Sequence, residues 1–136
     1  MTWNPNIHNV YQPIPTEHIL RDGAQLLVSK KLVSFPQKQL RDSHGVYGLA
    51  YGHFILLARD YIYGFIISVH KDAVAEAIKR RIPLVIYIKD AKTFYKVEPE
   101  DVLKHKIDEN QKGRAEMINF SVKICERWDI YALSEV

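Results

Sequence analysis

Residues 53–69 contain two continuous apolar runs, FILL and FII, on either side of a short polar pair, Arg59-Asp60. Two polar residues between two β-rich runs predict a β-hairpin. Because the apolar residues are continuous and do not alternate with polar ones, both strands are expected to be covered on both faces. The pattern therefore predicts the centre of a sheet in this segment.

The segment that follows changes from strand spacing to helical spacing. Val74, Ala77 and Ile78 recur at the spacing of one helix face, and Asp72 is placed to cap that helix. The next run, PLVIYI, is predicted to be a strand with proline at its first position. A strand, helix and strand connected this briefly predict a right-handed parallel βαβ crossover over 61–88.

The rest of the chain carries weaker periodic signals. An apolar stripe at helical spacing predicts a helix from Thr16, and alternating residues over 118–124 predict a half-buried strand, with a helix over 115–128 as the alternative. Further predicted elements are strands at 32–35, 45–52 and 93–97 and a helix at 99–106. Polar segments without a period are expected to be loops, and these are 36–44 and 108–114.

Together these elements predict an α/β fold with a mixed central sheet of about five to six strands and helices on both faces. The sheet would contain the 53–69 hairpin and the 61–88 crossover. The chain has 136 residues, of which 47% are hydrophobic, enough for a continuous core without metal or disulfide support. We expect a single domain over 15–136. Residues 1–14 hold three asparagines and two prolines and are expected to form an extended arm.

Composition narrows the class of protein only slightly. Lys and Arg number 19 against 16 Asp and Glu, and the net charge of +3 permits contact with nucleic acid without requiring it. The single cysteine, Cys125, excludes an internal disulfide and is expected to be a small apolar core residue. No apolar run approaches the ~18 residues of a membrane span, and the first residues lack the features of a secretory signal. We therefore expect no membrane partner and a cytoplasmic location.

The predicted order of elements over 16–88 is helix, strand, strand, strand, helix, strand. In this order, and in the segment HFILLARDYIYGFIISVHKD, the chain resembles the restriction-endonuclease-like nucleases, which include the archaeal Holliday-junction resolvases. The resemblance covers about half of the chain and implies a nuclease-like fold. In that family, an acid on the first hairpin strand and an acid-x-Lys set on the next strand hold a divalent metal that activates water.

The chain departs from this metal-binding pattern. Strand 53–58 contains no acid, and residues 66–69 read IISV where the acid-x-Lys set would fall. Asp60 is the only carboxylate of the predicted hairpin and is expected to be a turn residue. Glu17 could correspond to an additional acid of some family members, but its place in the first turn of a helix is explained by the helix dipole. We therefore expect no catalytic residues, no metal site and no cofactor.

Basic residues are densest around the predicted 72–81 helix, where phosphate contacts would be salt-dependent and largely independent of sequence. The candidate nucleic-acid-binding residues are Lys71, Lys79, Arg80, Arg81 and Lys89. A solvated helix end, favoured by the dipole, is the alternative explanation of the basic residues at 79–81. None of the six histidines has the i, i+4 spacing of a helical zinc pair, and no phosphate loop, nucleophile elbow or dinucleotide fingerprint is present.

Three functions are compatible with these observations. The first is a non-catalytic nucleic-acid-binding protein on a degenerate nuclease-like fold. The second is a structural or assembly protein that forms homo-oligomers through an edge strand and the N-terminal arm. The third is a metal-dependent DNA endonuclease that uses Glu17, Asp60 and a further acid.

Overall fold

The structure is a computed structural model that describes residues 16–43, 45–112 and 115–133. The helices are α1 (Thr16–Ser29), α2 (Lys71–Arg80), α3 (Pro99–Lys104) and α4 (Ile130–Leu133), with a 3₁₀ turn at Val122–Ile124. The strands are β1 (Lys38–Asp42), β2 (Gly45–Ala50), β3 (Ile55–Arg59), β4 (Ile66–His70), β5 (Leu84–Ile88), β6 (Thr93–Val97), β7 (Asp108–Lys112), β8 (Ala115–Ser121) and β9 (Glu126–Trp128). The predicted arm at 1–14 lies outside the described residues.

The strands form two sheets. The larger sheet has six strands in the order β1-β2-β3-β5-β6-β9, and the smaller has three in the order β4-β8-β7. The larger sheet is mixed, because β3 and β5 run parallel while its other neighbouring strands run antiparallel. The predicted α/β class with a mixed central sheet is therefore confirmed.

The predicted 53–69 hairpin is wrong in its strand pairing. β3 lies between β2 and β5 of the larger sheet, whereas β4 pairs with β8 of the smaller one. The carbonyls of Arg59 and Asp60 accept hydrogen bonds from the residues that follow β5. The chain therefore stays alongside the β5 segment as it leaves β3, and it does not turn back to form a hairpin. The tight turn instead lies further on, where Tyr63 and Ile66 exchange backbone hydrogen bonds around Gly64, which has φ +66°.

The predicted 61–88 crossover is wrong in its first strand. α2 does lead into β5, but the parallel neighbour of β5 is β3 and not β4. The burial of the strands explains this difference. β5 is buried at every residue and β3 at all but its last, so both suit the middle of a sheet covered on two faces. β4 alternates at its start between half-buried and buried residues and pairs with the alternating strand β8.

Two strands lie where the sequence pattern predicts loops, and both are polar strands at sheet edges. β1 reads KQLRD, in which only Leu40 is buried, and β7 reads DENQK. With one apolar residue or none, such strands have no detectable hydrophobic period. Conversely, residues 32–35 are not a strand. The apolar side chains of Leu32 and Val33 pack against the core from a loop.

Apolar side chains fill both faces of the larger sheet. On one face, α1 covers a core that includes Leu20, Leu27 and Leu56, with Ile130 of α4 beside it. On the other face, α2, α3 and the smaller sheet enclose a second core. The prediction of helices on both faces is therefore confirmed. Within the described ranges, no helix is long and apolar enough to cross a membrane.

Candidate nucleic-acid interface

Three of the five predicted basic residues contact a carboxylate, and for Lys71 and Lys89 that carboxylate belongs to another element. Lys71 begins α2, and its Nζ lies 3.0 Å from Glu109 Oε1 and 3.4 Å from Glu116 Oε2. The hydrogen bond with Glu109, followed by the charges of both glutamates, raises the pKa of Lys71. Lys89 Nζ lies 3.6 Å from Asp22 Oδ2 on α1. These two residues are therefore already paired within the fold.

The remaining predicted residues, Lys79, Arg80 and Arg81, lie together at the end of α2. Arg80 Nε lies 3.0 Å from Glu76 Oε2, and this hydrogen bond lowers the pKa of Glu76. Arg81 has φ +58° and closes the helix through its backbone N–H. Lys71 begins this ten-residue helix, so it lies about 15 Å from Arg81 along the axis. The five predicted residues therefore do not converge on one surface.

A groove that the sequence pattern did not indicate opens beside α1. Its volume is about 1050 Å³, and it is bounded by α1, residues 31–37, β1, β2 and residues 51–53. The groove lies where α1, which packs mainly on β2 and β3, stands beside the edge strand β1. Its apolar lining comes from α1 and the sheet and includes Leu20, Ala24, Val28, Leu49 and Tyr51.

Three cationic side chains line this groove. They are Arg21 from α1, Lys31 just after α1, and Arg41 from β1. Arg41 and Gln39 lie on the groove face of β1 because side chains alternate along a strand, and Leu40 between them enters the opposite core. Arg41 Nη2 donates to Gln39 Oε1 at 2.8 Å. We call Arg21, Lys31 and Arg41 the groove cations.

Glu17 is the one carboxylate among the residues that line the groove, and both of its oxygens are engaged. Oε1 accepts the backbone N–H of Val46 at 2.9 Å, and Oε2 accepts Arg21 Nη2 at 2.9 Å. The bond from Val46, and to a lesser extent the nearby Arg21 and Arg41, lowers the pKa of Glu17. A Cβ at Gly45 would lie 2.8 Å from Glu17 Oε1. Glu17 therefore fastens the start of α1 to β2.

On the opposite face of β1, Asp42 contacts His70 of β4, and both ring nitrogens of this histidine are in use. His70 Nδ1 accepts the backbone N–H of Asp72 at 3.3 Å, so the ring hydrogen is on Nε2, which lies 3.2 Å from Asp42 Oδ2. The predicted capping of α2 by Asp72 is therefore wrong, because His70 is the N-cap. Tyr47 stacks on the ring at a centroid distance of 3.9 Å, and burial raises its pKa to about 12.

Tyr47 reaches His70 because β2 has a bulge. The register of β1 against β2 shifts between Leu40 and Arg41, which leaves Tyr47 as the additional residue. Gly48 permits this arrangement, since a Cβ there would lie 3.1 Å from Leu57 Cδ2 and 3.3 Å from Leu40 Cδ1. Through the bulge, Tyr47 of β2 stacks on His70, which also contacts Asp42 of β1 and caps α2. These contacts hold β1, β2 and the start of α2 together.

No group of three or more His, Cys, Asp or Glu residues that could hold a metal ion occurs in the described parts of the chain. β2 and β3, which read GVYGLA and ILLAR, contain no carboxylate. Cys125 packs against the core on the α2 side, where burial raises the pKa of its thiol to about 12. A thiol in this state is a poor nucleophile near neutral pH.

No protein-family profile matches the chain, and no curated protein matches it. A solved structure with a similar chain course is that of D212, a nuclease from a fusselovirus. The two chains are 12% identical with a TM-score of 0.44, over 86% of this chain and 85% of D212. At this TM-score and identity, the similarity carries no argument about the resolvases or about activity.

Proposed function

We propose that the protein binds the phosphate backbone of nucleic acid in the groove beside α1. The observation that supports this proposal is the charge of the groove: Arg21, Lys31 and Arg41 line it with Glu17 as the single lining carboxylate, so the lining carries two net positive charges even though Arg21 is paired with Glu17. Lys and Arg side chains in such an arrangement neutralise phosphates and release counterions. Binding of this kind is largely independent of base sequence.

The size and lining of the groove favour a polynucleotide over a small anion. A volume of about 1050 Å³ exceeds that of a single phosphate, and apolar side chains form part of the lining. Phe35 lies at the groove and is 91% exposed, so its ring is available to stack on an unpaired base. Gln25, Gln37 and Gln39 add neutral hydrogen-bonding groups along the same groove.

We propose that this binding occurs without metal-dependent cleavage. Two observations support this part: β2 and β3 contain no carboxylate, and Glu17 serves as the acceptor for the Val46 N–H. The endonuclease alternative requires that Glu17 and Asp60 be completed by a third acid. It predicts cleavage of branched or single-stranded DNA that stops when a chelator is added, whereas the present proposal predicts that no such cleavage occurs.

Nucleic-acid binding by the helix-end residues Lys79, Arg80 and Arg81 is a separate prediction. Glu76 lies between Arg80 and Lys38 of β1, at 3.0 Å and 4.0 Å respectively. Lys38 and the cations at the end of α2 therefore lie on the face of β1 that is opposite the groove. They would extend a nucleic-acid contact that passes around β1, or they would be solvated surface residues.

The location of binding is tested by fluorescence anisotropy with a labelled single strand and a labelled duplex at low salt. The triple variant R21Q/K31Q/R41Q is expected to lose at least about tenfold in affinity, because each phosphate contact contributes to the electrostatic free energy of binding. K79Q/R80Q/R81Q tests the helix end separately.

The matched control for the groove variant is K92Q/K104Q/K123Q, which removes the same net charge from exposed lysines elsewhere. This control is expected to change the affinity much less than the groove variant does. If the groove variant and the control weaken binding equally, net charge and not the groove is responsible. If the native protein does not bind at low salt, the proposal fails.

A further inference from the structure

The groove beside α1 is lined by exposed apolar and amide side chains as well as by its cations. Phe35 is 91% exposed and Val28 is 46% exposed, and both line the groove. Gln25, Gln37 and Gln39 also line it, and all three are exposed. The apolar side chains therefore have surface left for a ligand to cover, and the amides are in a position to form hydrogen bonds with that ligand.

The dimensions of the groove fit one polynucleotide strand. On α1 its lining extends from Glu17 to Val28, which is about 16 Å along a helix axis. A volume of about 1050 Å³ over that length corresponds to a mean width of about 8 Å. The major groove of a DNA duplex alone is about 12 Å wide. A whole duplex is therefore too wide to enter this groove, whereas a single strand is not.

The groove cations are distributed along this length. Arg21 and Arg41 lie near Glu17 at the start of α1, and their charges lower the pKa of that carboxyl group. Lys31 follows the other end of α1 and lines the same groove as Phe35. A strand that lies lengthwise in the groove would meet a cation near each end, and its bases would meet the neutral side chains between them.

We propose that the groove binds single-stranded nucleic acid in preference to a duplex, with one base stacked on the ring of Phe35. This inference rests on the proposed function and names its substrate class. A positively charged groove with an exposed aromatic ring is typical of proteins that bind single strands with little sequence preference. Stacking on the ring requires an uncovered base face, and in a duplex the neighbouring base pairs cover these faces. A duplex therefore offers phosphates to the cations but no base to Phe35.

The hydrogen bond between Arg41 and Gln39 limits which groups of a base fit beside them. Arg41 Nη2 donates to Gln39 Oε1 at 2.8 Å, so the amide acceptor of Gln39 is already used. The amide nitrogen of Gln39 and the other guanidinium N–H groups of Arg41 are donors. They fit base edges that carry acceptors, such as O6 and N7 of guanine. An unpaired strand exposes these acceptors together with those of its Watson–Crick edges.

The preference is tested by fluorescence anisotropy with a labelled DNA strand of about 20 nucleotides, alone and annealed to its complement. At equal salt concentration, the native protein is expected to bind the single strand at least about tenfold more tightly than the duplex. Phe35→Ala is expected to lower the affinity for the single strand about fivefold or more, because stacking is lost, and to leave the affinity for the duplex unchanged. Tyr63→Ala is the matched control, since Tyr63 is 78% exposed and lies in the turn before β4.

Two further measurements separate stacking from charge and from a structural role of Phe35. Phe35→Ala removes no charge, so the slope of log K against log salt concentration for the single strand should equal that of the native protein. Phe35→Trp keeps an aromatic ring and should retain the native affinity for the single strand. The fluorescence of this tryptophan, measured relative to the native chain, should fall when the single strand binds, because the base stacks on the indole ring.

Three results would overturn the inference: equal affinities for the single strand and the duplex, a loss with Phe35→Ala that is no larger than the loss with Tyr63→Ala, or a loss with Phe35→Trp as large as that with Phe35→Ala. Failure here is distinguishable from failure of the proposed function. A protein that binds both forms equally through the groove cations refutes only the preference for single strands. A protein that binds neither form at low salt refutes the proposed function and this inference with it.

Discussion

Glu17 shows how a single side chain can connect two elements that are distant in sequence. Its carboxylate accepts a hydrogen bond from Val46, 29 residues later, and a second from Arg21 on the same helix. These contacts are to the ionised form, and they lower the pKa of Glu17 below its ordinary value of 4.5. Glu17 therefore stabilises the fold only while it is charged.

The contribution of Glu17 should consequently depend on pH. Because the pKa is lower in the folded state, the stabilisation is complete above about pH 4.5 and is lost as the pH falls through the folded-state pKa. Glu17→Gln is expected to lower the melting temperature at pH 7, and the difference from the native chain should shrink toward pH 3. Glu100→Gln, an exposed glutamate of α3, controls for the loss of a negative charge. A difference that is constant with pH would contradict this role.

At the scale of single residues, the sequence predicted side-chain types better than it predicted partners. It placed Glu17 in the first turn of a helix and Cys125 in a packed environment, and the structure agrees with both. It could not show that Glu17 binds Val46 or that His70 caps α2, because the first contact spans 29 residues and histidine is an uncommon cap. Contacts of this kind follow from the fold and not from local pattern.

At the scale of elements, α1 contains a buried glycine, Gly23, that lets the helix pack closely on Tyr87 of β5. Gly23 lies in the middle of the helix, where glycine costs about 1 kcal/mol relative to alanine. It is buried, and a Cβ there would lie 2.9 Å from Cγ and Cδ2 of Tyr87. Tyr87 is itself buried and packs on Phe94. The close approach of α1 to β5 therefore requires glycine.

Gly23→Ala should destabilise the protein even though alanine favours a helix. The overlap with Tyr87 is expected to cost about 1–3 kcal/mol, which exceeds the gain in helix propensity. Urea denaturation should then show a lower midpoint than that of the native chain. Gln25→Gly, at an exposed position of the same helix, should instead follow propensity and cost about 1 kcal/mol. A more stable Gly23→Ala variant would contradict the packing of α1 on β5.

Elements with a strong hydrophobic period were predicted well, and polar edge strands were missed. The helices at 16–29 and 71–80 and the strand at 84–88 appear as expected. β1 and β7 were expected to be loops, because an edge strand with polar residues on both sides has no period to detect. The groove was missed for the same reason, since β1 forms one of its walls. The pairing of β3 with β5 was missed because pairing partners are set by the whole sheet.

At the scale of the whole molecule, charge is arranged around one edge of the larger sheet. The groove cations lie on the α1 face of β1, while Lys38 and the end of α2 lie on the opposite face. The net charge of +3 alone would not indicate this arrangement. The groove lies between β1 and α1, which packs mainly on β2 and β3. The proposed function therefore depends on the position of a helix and not on a sequence motif.

The central claim is tested most directly by the salt dependence of nucleic-acid binding. For duplex DNA, each phosphate contact contributes about −0.9 to the slope of log K against log salt concentration. The native protein is expected to show a slope of about −3 or steeper, and R21Q/K31Q/R41Q a slope that is shallower by about two to three. Equal slopes for the two proteins, or no binding by the native protein at low salt, would contradict the assignment of the groove as a nucleic-acid site.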